Sequence, residues 1–417
     1  MGIKKIRLVI RYPKGWLRKA LPSIVVAFYI MIPTISLMLT RINPAFGSVM
    51  TPLYTLGALL AAVVILLGRK PKPTNSFVVV FLSIIIAYVL SPDYGELIQL
   101  TTPYFVMFTL VPFMIPQFLK VNTRLVTIFA MAFSSFGVLF PRSLFLLTSE
   151  NVISIDLTYS LLFPVVAMVI YLGLYWKTDD WRHRLMVMPF ILANSVYLFY
   201  VAFFGSRAPL MSIILCILFL YVCHASKRRR GVRVNRRRLV RVLLALVAVV
   251  VFFMVIVSAL DAFLAKYGLD SGMLAKLSRL QGEGDLTNGR SYIVAQTLSA
   301  FMDSPIFGYG FSASPYIIDD DYPHNFILQF LLDGGTVLFL IAIVPMVYHM
   351  KMWWERCTFN EFALITLFFF AAVIGALFSL DLWMNARLWF FFGYLFSKVM
   401  SYNRGHKRKR VVKYVTT

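Results

Sequence analysis

The most regular feature of the chain is a succession of apolar stretches separated by short polar segments. A helix of about 17–25 apolar residues crosses the ~30 Å hydrocarbon core of a bilayer. Lipid offers no partner for an unpaired backbone N–H or C=O, so helices are the structure expected there. The pattern therefore predicts an all-α, polytopic membrane protein that forms a single integral membrane domain over residues 1–417. About twelve transmembrane helices are expected, near 21–40, 48–67, 75–91, 97–117, 124–141, 157–175, 185–204, 208–224, 242–260, 326–348, 360–380 and 387–401.

Composition supports a membrane protein. Hydrophobic residues make up 60% of the chain and charged residues 14%, and the mean hydropathy is +0.78. Soluble domains carry about 25% charged residues. The net charge of +23 might by itself point to nucleic acid. The basic residues lie in short segments between the apolar stretches, however, which favours a role in membrane orientation. No nucleic-acid partner is therefore expected.

The basic residues are strongly asymmetric between alternate polar segments. Of the 41 Lys and Arg residues, 33 fall on the side that includes both termini. Positive charge marks the cytoplasmic side, so both termini are predicted to be cytoplasmic. Acidic residues show the reverse distribution, and the outer face carries a net charge of −6. Each arginine on that outer face is opposite in charge to its surroundings, so its presence there needs a physical reason.

One outer loop is much longer than the others. It covers residues 261–325, between the ninth and tenth spans. Loops longer than about 15 residues are uncommon unless they have structure or a function of their own. Residues 291–302 have a helical pattern, with Asn288 as the expected cap, and the Gly/Pro-rich segment 304–315 is typical of turns. This loop is the predicted extracytoplasmic part of the site.

His324 is the one histidine of five that falls on the outer side, two residues before the tenth span. A helix N-terminus disfavours the charged imidazolium, whereas Asp319, Asp320 and Asp321 favour it. A histidine between these influences is able to accept a proton at neutral pH. Asn325 could orient its ring or cap the helix. The alternative is an interfacial histidine that caps the helix and takes no part in chemistry.

Three outer-face arginines stand at the ends of predicted helices. Arg207 lies where span seven turns into span eight, Arg290 begins the loop helix, and Arg387 starts span twelve. Singly, each can be an interfacial anchor or a solvated charge. Together, their planar guanidinium groups suit the oxygens of a diphosphate. One base and several arginines at the outer membrane edge fit sugar transfer from a lipid diphosphate, because the leaving group is anionic.

The run Asp319–Asp321 offers a metal alternative, because carboxylates bind Mg²⁺ and Ca²⁺. Three successive side chains in an extended segment point in alternating directions, and no further spaced ligand set is present. The run therefore favours solvated acids. We expect no catalytic metal and no cofactor.

Four segments, in this order and spacing, resemble the O-antigen polymerase and O-antigen ligase superfamily of bacterial envelope glycosyltransferases. They are GSRAP (205–209), NGRSY (288–292), DSPIFGYGF (303–311) and YPHNFILQFLLDGG (322–335). The motifs cover only residues 205–335, whereas the arrangement of spans resembles the family over nearly the whole chain. One departure is the pair Gly334–Gly335, where the family more often has a single glycine. This departure bears on the packing of span ten.

The resemblance implies a metal-independent, inverting transfer of glycan from undecaprenyl diphosphate. Arg207 and Arg290 would bind the diphosphate, with Arg387 as a further positive residue, and His324 would be the general base. Tyr322 and Asn325 would support it. In this arrangement Gln329 and Asp333, inside span ten, would face a polar cavity rather than lipid.

Three activities remain open. A polymerase would use another lipid-linked repeat unit as acceptor, and the aromatic-rich segment LWMNARLWFFFGYLF favours it. A ligase would transfer the glycan to lipid A core. A transporter of lipid-linked glycan also suits about twelve spans, but the absence of an internal repeat and the single large outer loop weigh against it. A structural scaffold would leave His324 and the arginines unexplained.

The expected location is the bacterial cytoplasmic membrane, with the site facing outside. The expected partners are membrane lipid, an undecaprenyl-diphosphate-linked oligosaccharide and a chain-length regulator protein.

Overall fold

The structure is a computed structural model that describes most of the chain. It covers residues 16–66, 73–92, 102–139, 155–203, 207–225, 230–245, 263, 266, 289–311, 313–319, 322–378 and 380–397. Helices dominate these residues. The all-α prediction is confirmed in this respect, apart from one two-stranded hairpin.

Thirteen helices are labelled here in chain order. They are α1 (Trp16–Ile42), α2 (Met50–Leu66), α3 (Asn75–Val89), α4 (Thr102–Phe118), α5 (Thr123–Ser135), α6 (Ile155–Ile170), α7 (Trp181–Phe203), α8 (Arg207–Val222), α9 (Arg290–Asp303), α10 (Ser314–Ile317), α11 (Phe326–Arg356), α12 (Phe359–Phe378) and α13 (Ala386–Ser397). The π-helical turns are Val106–Leu110 in α4, Tyr171–Tyr175 after α6 and Phe369–Val373 in α12. Short 3-10 turns occur at Pro44–Phe46, Phe136–Leu139 and Trp176–Thr178, and residues 236–245 are also helical.

Helices occupy the positions of the predicted spans wherever the structure describes them. Five described helices are long and apolar enough to cross a membrane: Ala20–Ile42, Leu157–Thr178, Trp181–Ala202, Phe326–Arg356 and Phe359–Phe378. Five further apolar helices have 10–17 residues. Most of the expected ninth span, 242–260, lies outside the described residues. A polytopic membrane protein is therefore supported, whereas the number of about twelve spans stays a prediction.

The interior of the bundle is built around α13. Every residue from Ala386 to Phe396 is buried, as expected for a helix that is apolar on all sides. Its closest neighbour is α4, where the Gln117 side-chain amide donates to the Gly393 carbonyl at 2.6 Å. A Cβ on Gly393 would lie 2.2 Å from the Phe113 carbonyl oxygen. Glycine at this position therefore lets the two helix backbones approach closely.

Helix α11 is interrupted near its N-terminal end. Gly335 has φ 60° and ψ −168°, a conformation that is essentially restricted to glycine. The turn segment 304–310 lies along the interruption and exchanges backbone hydrogen bonds with both sides of it. These bonds are Tyr309 N to Leu332 O (2.9 Å), Gly310 N to Asp333 O (2.8 Å), Thr336 N to Pro305 O (2.9 Å) and Val337 N to Ile306 O (3.1 Å).

The interruption explains the glycine pair at 334–335. Backbone groups released by a broken helix need partners inside protein when the helix lies in a membrane, and the turn segment provides them. A Cβ on Gly335 would lie 2.3 Å from the Ile306 carbonyl oxygen, and one on Gly308 would lie 2.5 Å from the Leu332 carbonyl oxygen. The sequence predicted the turn and the helix as separate elements. It did not predict that the turn is hydrogen-bonded to both sides of the interruption in the helix.

A short hairpin lies on the predicted cytoplasmic side. Strand β1 (Cys223–Ala225) pairs antiparallel with β2 (Val232–Val234), with Cys223 opposite Val234. Gly231 N donates to Cys357 O at 2.9 Å, which attaches the hairpin to the connection between α11 and α12. Residues 231–234 are thereby held against the bundle.

Candidate functional site

Asp319 and residues 322–325, called the His324 segment below, lead from the outer loop into α11. Asn325 ends the segment as the N-cap of α11, where its Oδ1 accepts hydrogen bonds from Ile327 N at 2.9 Å and Leu328 N at 3.3 Å. Its Nδ2 donates to the Leu377 carbonyl at 3.2 Å. Of the two roles considered for Asn325, the structure shows the helix cap. The same side chain also attaches the segment to the end of α12.

His324 has an unusual backbone conformation. Its φ is 55°, and among the described residues no other non-glycine residue has a positive φ. Such a conformation costs about 1–3 kcal/mol and is often found at functional sites. The centre of the imidazole ring lies 4.5 Å from the centre of the Tyr322 ring in an edge-to-face arrangement. Tyr322 therefore packs against the imidazole, and its supporting role stays a prediction.

Helix α9 contacts the His324 segment through a group of three side chains, named here the Asp319 cluster: Tyr292, Gln296 and Asp319. The Asp319 Oδ2 accepts hydrogen bonds from the Tyr292 hydroxyl at 2.9 Å and from Gln296 Nε2 at 2.7 Å. The Asp319 backbone N–H donates to Gln296 Oε1 at 3.2 Å. The hydrogen bonds from Gln296 and Tyr292 lower the pKa of Asp319 from its usual value of 3.8. Asp319 is therefore a carboxylate at neutral pH.

Arg290 is the first residue of α9, two residues before Tyr292, and it is exposed. The Asp319 cluster thus brings the helix that carries Arg290 to the segment that carries His324. The predicted cap of this helix was wrong, because the N-cap is Gly289, with φ 79°, instead of Asn288. Arg207 is the first residue of α8, as expected, but its side chain lies outside the described part of the structure.

A buried polar layer lies one to two turns below the His324 segment. Gln329 and Asp333 are each 3% exposed. The Gln329 Nε2 donates to Asp381 Oδ2 at 2.7 Å, and its Oε1 accepts from Leu382 N at 2.7 Å. The Trp383 indole Nε1 donates to Asp333 Oδ2 at 2.6 Å. Both side chains are therefore buried within the protein and have polar partners, whereas the polar cavity expected beside them stays a prediction.

Sequence analysis missed Asp381 and Trp383, which complete this layer. Both belong to the connection between α12 and α13 and are polar or amphipathic residues directly before an apolar helix. Their position next to Arg387 was the available signal. The Asp333 Oδ1 has no hydrogen-bond partner among the described residues, so this buried carboxyl group is only half satisfied by the protein.

Arg387 is buried more deeply than the sequence suggested. It was expected to be at the interface, yet it is only 6% exposed. Its guanidinium donates to the carbonyls of Tyr159 at 2.8 Å and Ser160 at 3.2 Å, and to Thr34 Oγ1 at 3.2 Å. It also lies 5.4 Å from the centre of the Phe163 ring. These groups are all neutral, so the positive charge is held among α1, α6 and α13 without a carboxylate partner in the described residues.

The metal alternative at Asp319–Asp321 stays open, because Asp320 and Asp321 lie outside the described residues. Asp319 itself is engaged by Gln296 and Tyr292.

The structure therefore shows the class of helical membrane proteins, with five described helices long and apolar enough to cross a membrane and a buried polar layer beside the His324 segment. The model of one family, described as O-antigen ligase, matches residues 192–343. This match confirms the resemblance to the O-antigen polymerase and ligase superfamily. No curated protein matches the chain.

The matched region includes Arg207, Arg290 and His324, whereas Arg387 lies outside it. Members of the family are glycosyltransferase-like enzymes that act on lipid-linked oligosaccharides in the membrane. Together with the apolar helices, the match indicates a bacterial membrane protein.

Proposed function

We propose that the chain polymerises lipid-linked oligosaccharide repeat units of an O-antigen, capsular or exopolysaccharide type. The donor is an undecaprenyl-diphosphate-linked oligosaccharide, and the reaction is a metal-independent, inverting glycosyl transfer. The site faces the outside of the cytoplasmic membrane, and both termini are cytoplasmic. A chain-length regulator protein is the expected protein partner.

The observation that carries the proposal is the connection between two motifs that are distant in sequence. Tyr292 and Gln296, on the helix that begins with Arg290, are hydrogen-bonded to Asp319 at the start of the His324 segment. Arg290, the proposed phosphate-binding group, and His324, the proposed base, therefore belong to elements that are hydrogen-bonded to each other. This is the arrangement that transfer from a lipid diphosphate requires.

In the proposed reaction, the acceptor hydroxyl oxygen attacks the anomeric carbon of the donor sugar and forms the new glycosidic bond. The bond from that carbon to the diphosphate oxygen breaks, and undecaprenyl diphosphate leaves with the electron pair. The His324 imidazole accepts the proton of the acceptor hydroxyl. The Arg290 and Arg207 guanidinium groups stabilise the charge that develops on the leaving diphosphate.

Arg387 contributes from a buried position in this proposal. Its charge is not cancelled by a described carboxylate, and a positive charge in a low-dielectric interior attracts an anion over a longer distance than it would in water. Tyr322 and Asn325 hold the imidazole, through the ring contact of 4.5 Å and the helix cap respectively.

An O-antigen ligase is the second candidate, because the matching family model is described by that name. The chemistry at the donor would be the same, and the acceptor would be lipid A core. The acceptor added to the assay therefore distinguishes the two activities.

The test uses purified full-length protein with lipid-linked repeat units, and with lipid A core as the other acceptor. We expect His324→Ala and Arg290→Ala to abolish polymer formation while both proteins still insert and purify normally. Arg41→Ala and His183→Ala are matched controls, which exchange an arginine and a histidine outside the site and are expected to retain activity. Full-length polymer from either site variant would reject the assigned roles. Transfer to lipid A core alone would identify a ligase, and translocation without new glycosidic bonds a transporter.

A further inference from the structure

We infer that Tyr292, Gln296 and Asp319 are positioning residues, which fix the separation of Arg290 and His324. The inference rests on the proposed function for the chemistry of those two groups. It assigns a role to three residues that neither the motifs nor the proposed mechanism explains, and its structural part can be tested without any activity.

The contacts within the Asp319 cluster form a closed set. Gln296 holds both the side chain and the backbone of Asp319, because its Nε2 donates to Oδ2 at 2.7 Å and its Oε1 accepts from the backbone N–H at 3.2 Å. The Tyr292 hydroxyl donates to the same carboxylate oxygen at 2.9 Å. Gln296 Nε2 also lies 2.9 Å from that hydroxyl. Each member therefore contacts the other two, and rotation of one side chain breaks more than one contact.

The position of the cluster explains why it matters for geometry. Helix α9 is attached to α11 at its C-terminal end, because the turn 304–310 that follows it is hydrogen-bonded across the interruption at Gly335. The Asp319 cluster is a second attachment, nearer the N-terminal end that carries Arg290. The buried side chains Ile293, Thr297 and Ala300 also pack one face of α9 against the protein. The cluster adds a polar attachment near the N-terminal end of α9, which limits pivoting of that end.

The length of α9 amplifies any pivoting. A helix of 14 residues is about 20 Å long, so a rotation of only a few degrees about the turn displaces Arg290 by more than about 1 Å. A misplacement of about 1 Å can cost about 10²-fold in rate. The other end of the His324 segment is fixed by the Asn325 cap, so loss of the cluster would move Arg290 relative to an imidazole that stays in place.

The cluster is exposed to solvent, which separates a positioning role from a purely structural one. Hydrogen bonds among exposed groups compete with water and contribute little to global stability. We therefore expect that breaking the cluster lowers kcat and alters the local geometry, whereas the unfolding midpoint changes little.

The experiment exchanges donor and acceptor within the cluster. Gln296→Glu places a second carboxylate against Asp319, so we expect kcat for polymer formation to fall about 10–100-fold with the donor KM within about 3-fold of wild type. Adding Asp319→Asn to that variant restores one amide and one carboxylate in exchanged positions. All three contacts can form again, and we expect the double variant to recover to within about 3-fold of wild type. Asp303→Asn, at the exposed C-terminal end of α9, is the matched control and should retain full activity.

A structural measurement is independent of the proposed chemistry. Spin labels on Ala295 of α9 and Tyr316 of α10, both exposed, report the distance across the cluster, in a background where the three buried native cysteines are replaced by alanine. We expect a narrow distance distribution in wild type, a broad one in Gln296→Glu and a narrow one again in the double variant. Should Gln296→Glu not fold, Tyr292→Phe, which removes one of the two donors to the carboxylate, is expected to broaden the distribution less.

The outcomes separate the two claims. Unchanged distances and unchanged kcat in Gln296→Glu would overturn the inference, as would a double variant no better than the single one. A second outcome is that the double variant recovers the narrow distance distribution while the wild-type protein makes no polymer. This result would support the positioning role of the cluster and reject the proposed function.

Discussion

Replacing Gly335 by alanine tests whether the interruption of α11 is required by the fold. An alanine would have to adopt φ 60° and ψ −168°, which costs about 1–3 kcal/mol. Its Cβ would also lie 2.3 Å from the Ile306 carbonyl oxygen. Relief of that contact requires the turn 304–310 to move by about 1 Å. A movement of this size breaks hydrogen bonds that are 2.8–3.1 Å long.

The expected loss of stability follows from these contributions. The four backbone hydrogen bonds between the turn and α11 contribute about 1 kcal/mol each, and the backbone strain adds about 1–3 kcal/mol. We therefore expect Gly335→Ala to lower the free energy of unfolding by about 5 kcal/mol, a value outside the usual range for single substitutions. The assay is SDS-induced unfolding of the purified, detergent-solubilised protein.

Gly289→Ala is the matched control. Gly289 also has a positive φ, of 79°, but a Cβ there would meet none of the described residues within 4 Å. This variant carries the backbone strain without the steric contact, so we expect a loss of only about 1–2 kcal/mol. Equal losses in the two variants would refute the role assigned to the contact between the turn and the helix.

Three further predictions concern single side chains. Trp383→Phe removes the indole N–H that donates to the buried Asp333 carboxyl group, and it should lower the free energy of unfolding by about 2 kcal/mol in the same assay. Adding Asp333→Leu should recover much of that loss. No recovery would contradict the assigned hydrogen bond. Arg387→Lys and Arg387→Met both lose the guanidinium contacts with three oxygens, but only the lysine keeps the positive charge. If that charge assists donor binding, the donor KM should rise at least about 3-fold more in Arg387→Met than in Arg387→Lys. Since hydrogen bonding lowers the pKa of Asp319 below 3.8, the stabilisation by the Asp319 cluster is present above that value and is lost as the pH falls through the lower folded value. Spin-label distances across the cluster should therefore stay narrow at neutral and mildly acidic pH and broaden only in stronger acid; broadening at mildly acidic pH would contradict this assignment.

The positions of the helices were predictable because hydrophobicity along a membrane chain is a strong and local signal. The loop helix predicted at 291–302 is observed at Arg290–Asp303, and Asn325 caps α11 as one of its two considered roles. Each of these depends on residues close together in sequence. The cap of α9 was assigned wrongly because glycine at a positive φ can begin a helix without any side-chain hydrogen bond.

Features that depend on distant residues were not predictable. The pairing of Asp333 with Trp383 joins α11 to the connection between α12 and α13, and no local pattern specifies it. The same holds for the hydrogen bonds from Gln296 to Asp319. The burial of Arg387 was missed because an arginine at the start of an apolar helix usually extends to the interface. Here it is held among carbonyl oxygens of a neighbouring helix.

Among the described residues, Asp333 and Arg387 do not form an ion pair with each other, and this arrangement is informative. Both are buried, and Trp383, which binds Asp333, precedes Arg387 by four residues. Isolated buried charges are costly, and an ion pair between them would be the simplest compensation. Neither forms an ion pair with a described residue. Asp333 is instead bound by an indole N–H and Arg387 by neutral oxygens. Arg387 therefore has no counter-ion among the described residues, and in the proposed function the diphosphate headgroup of the donor would supply that negative charge.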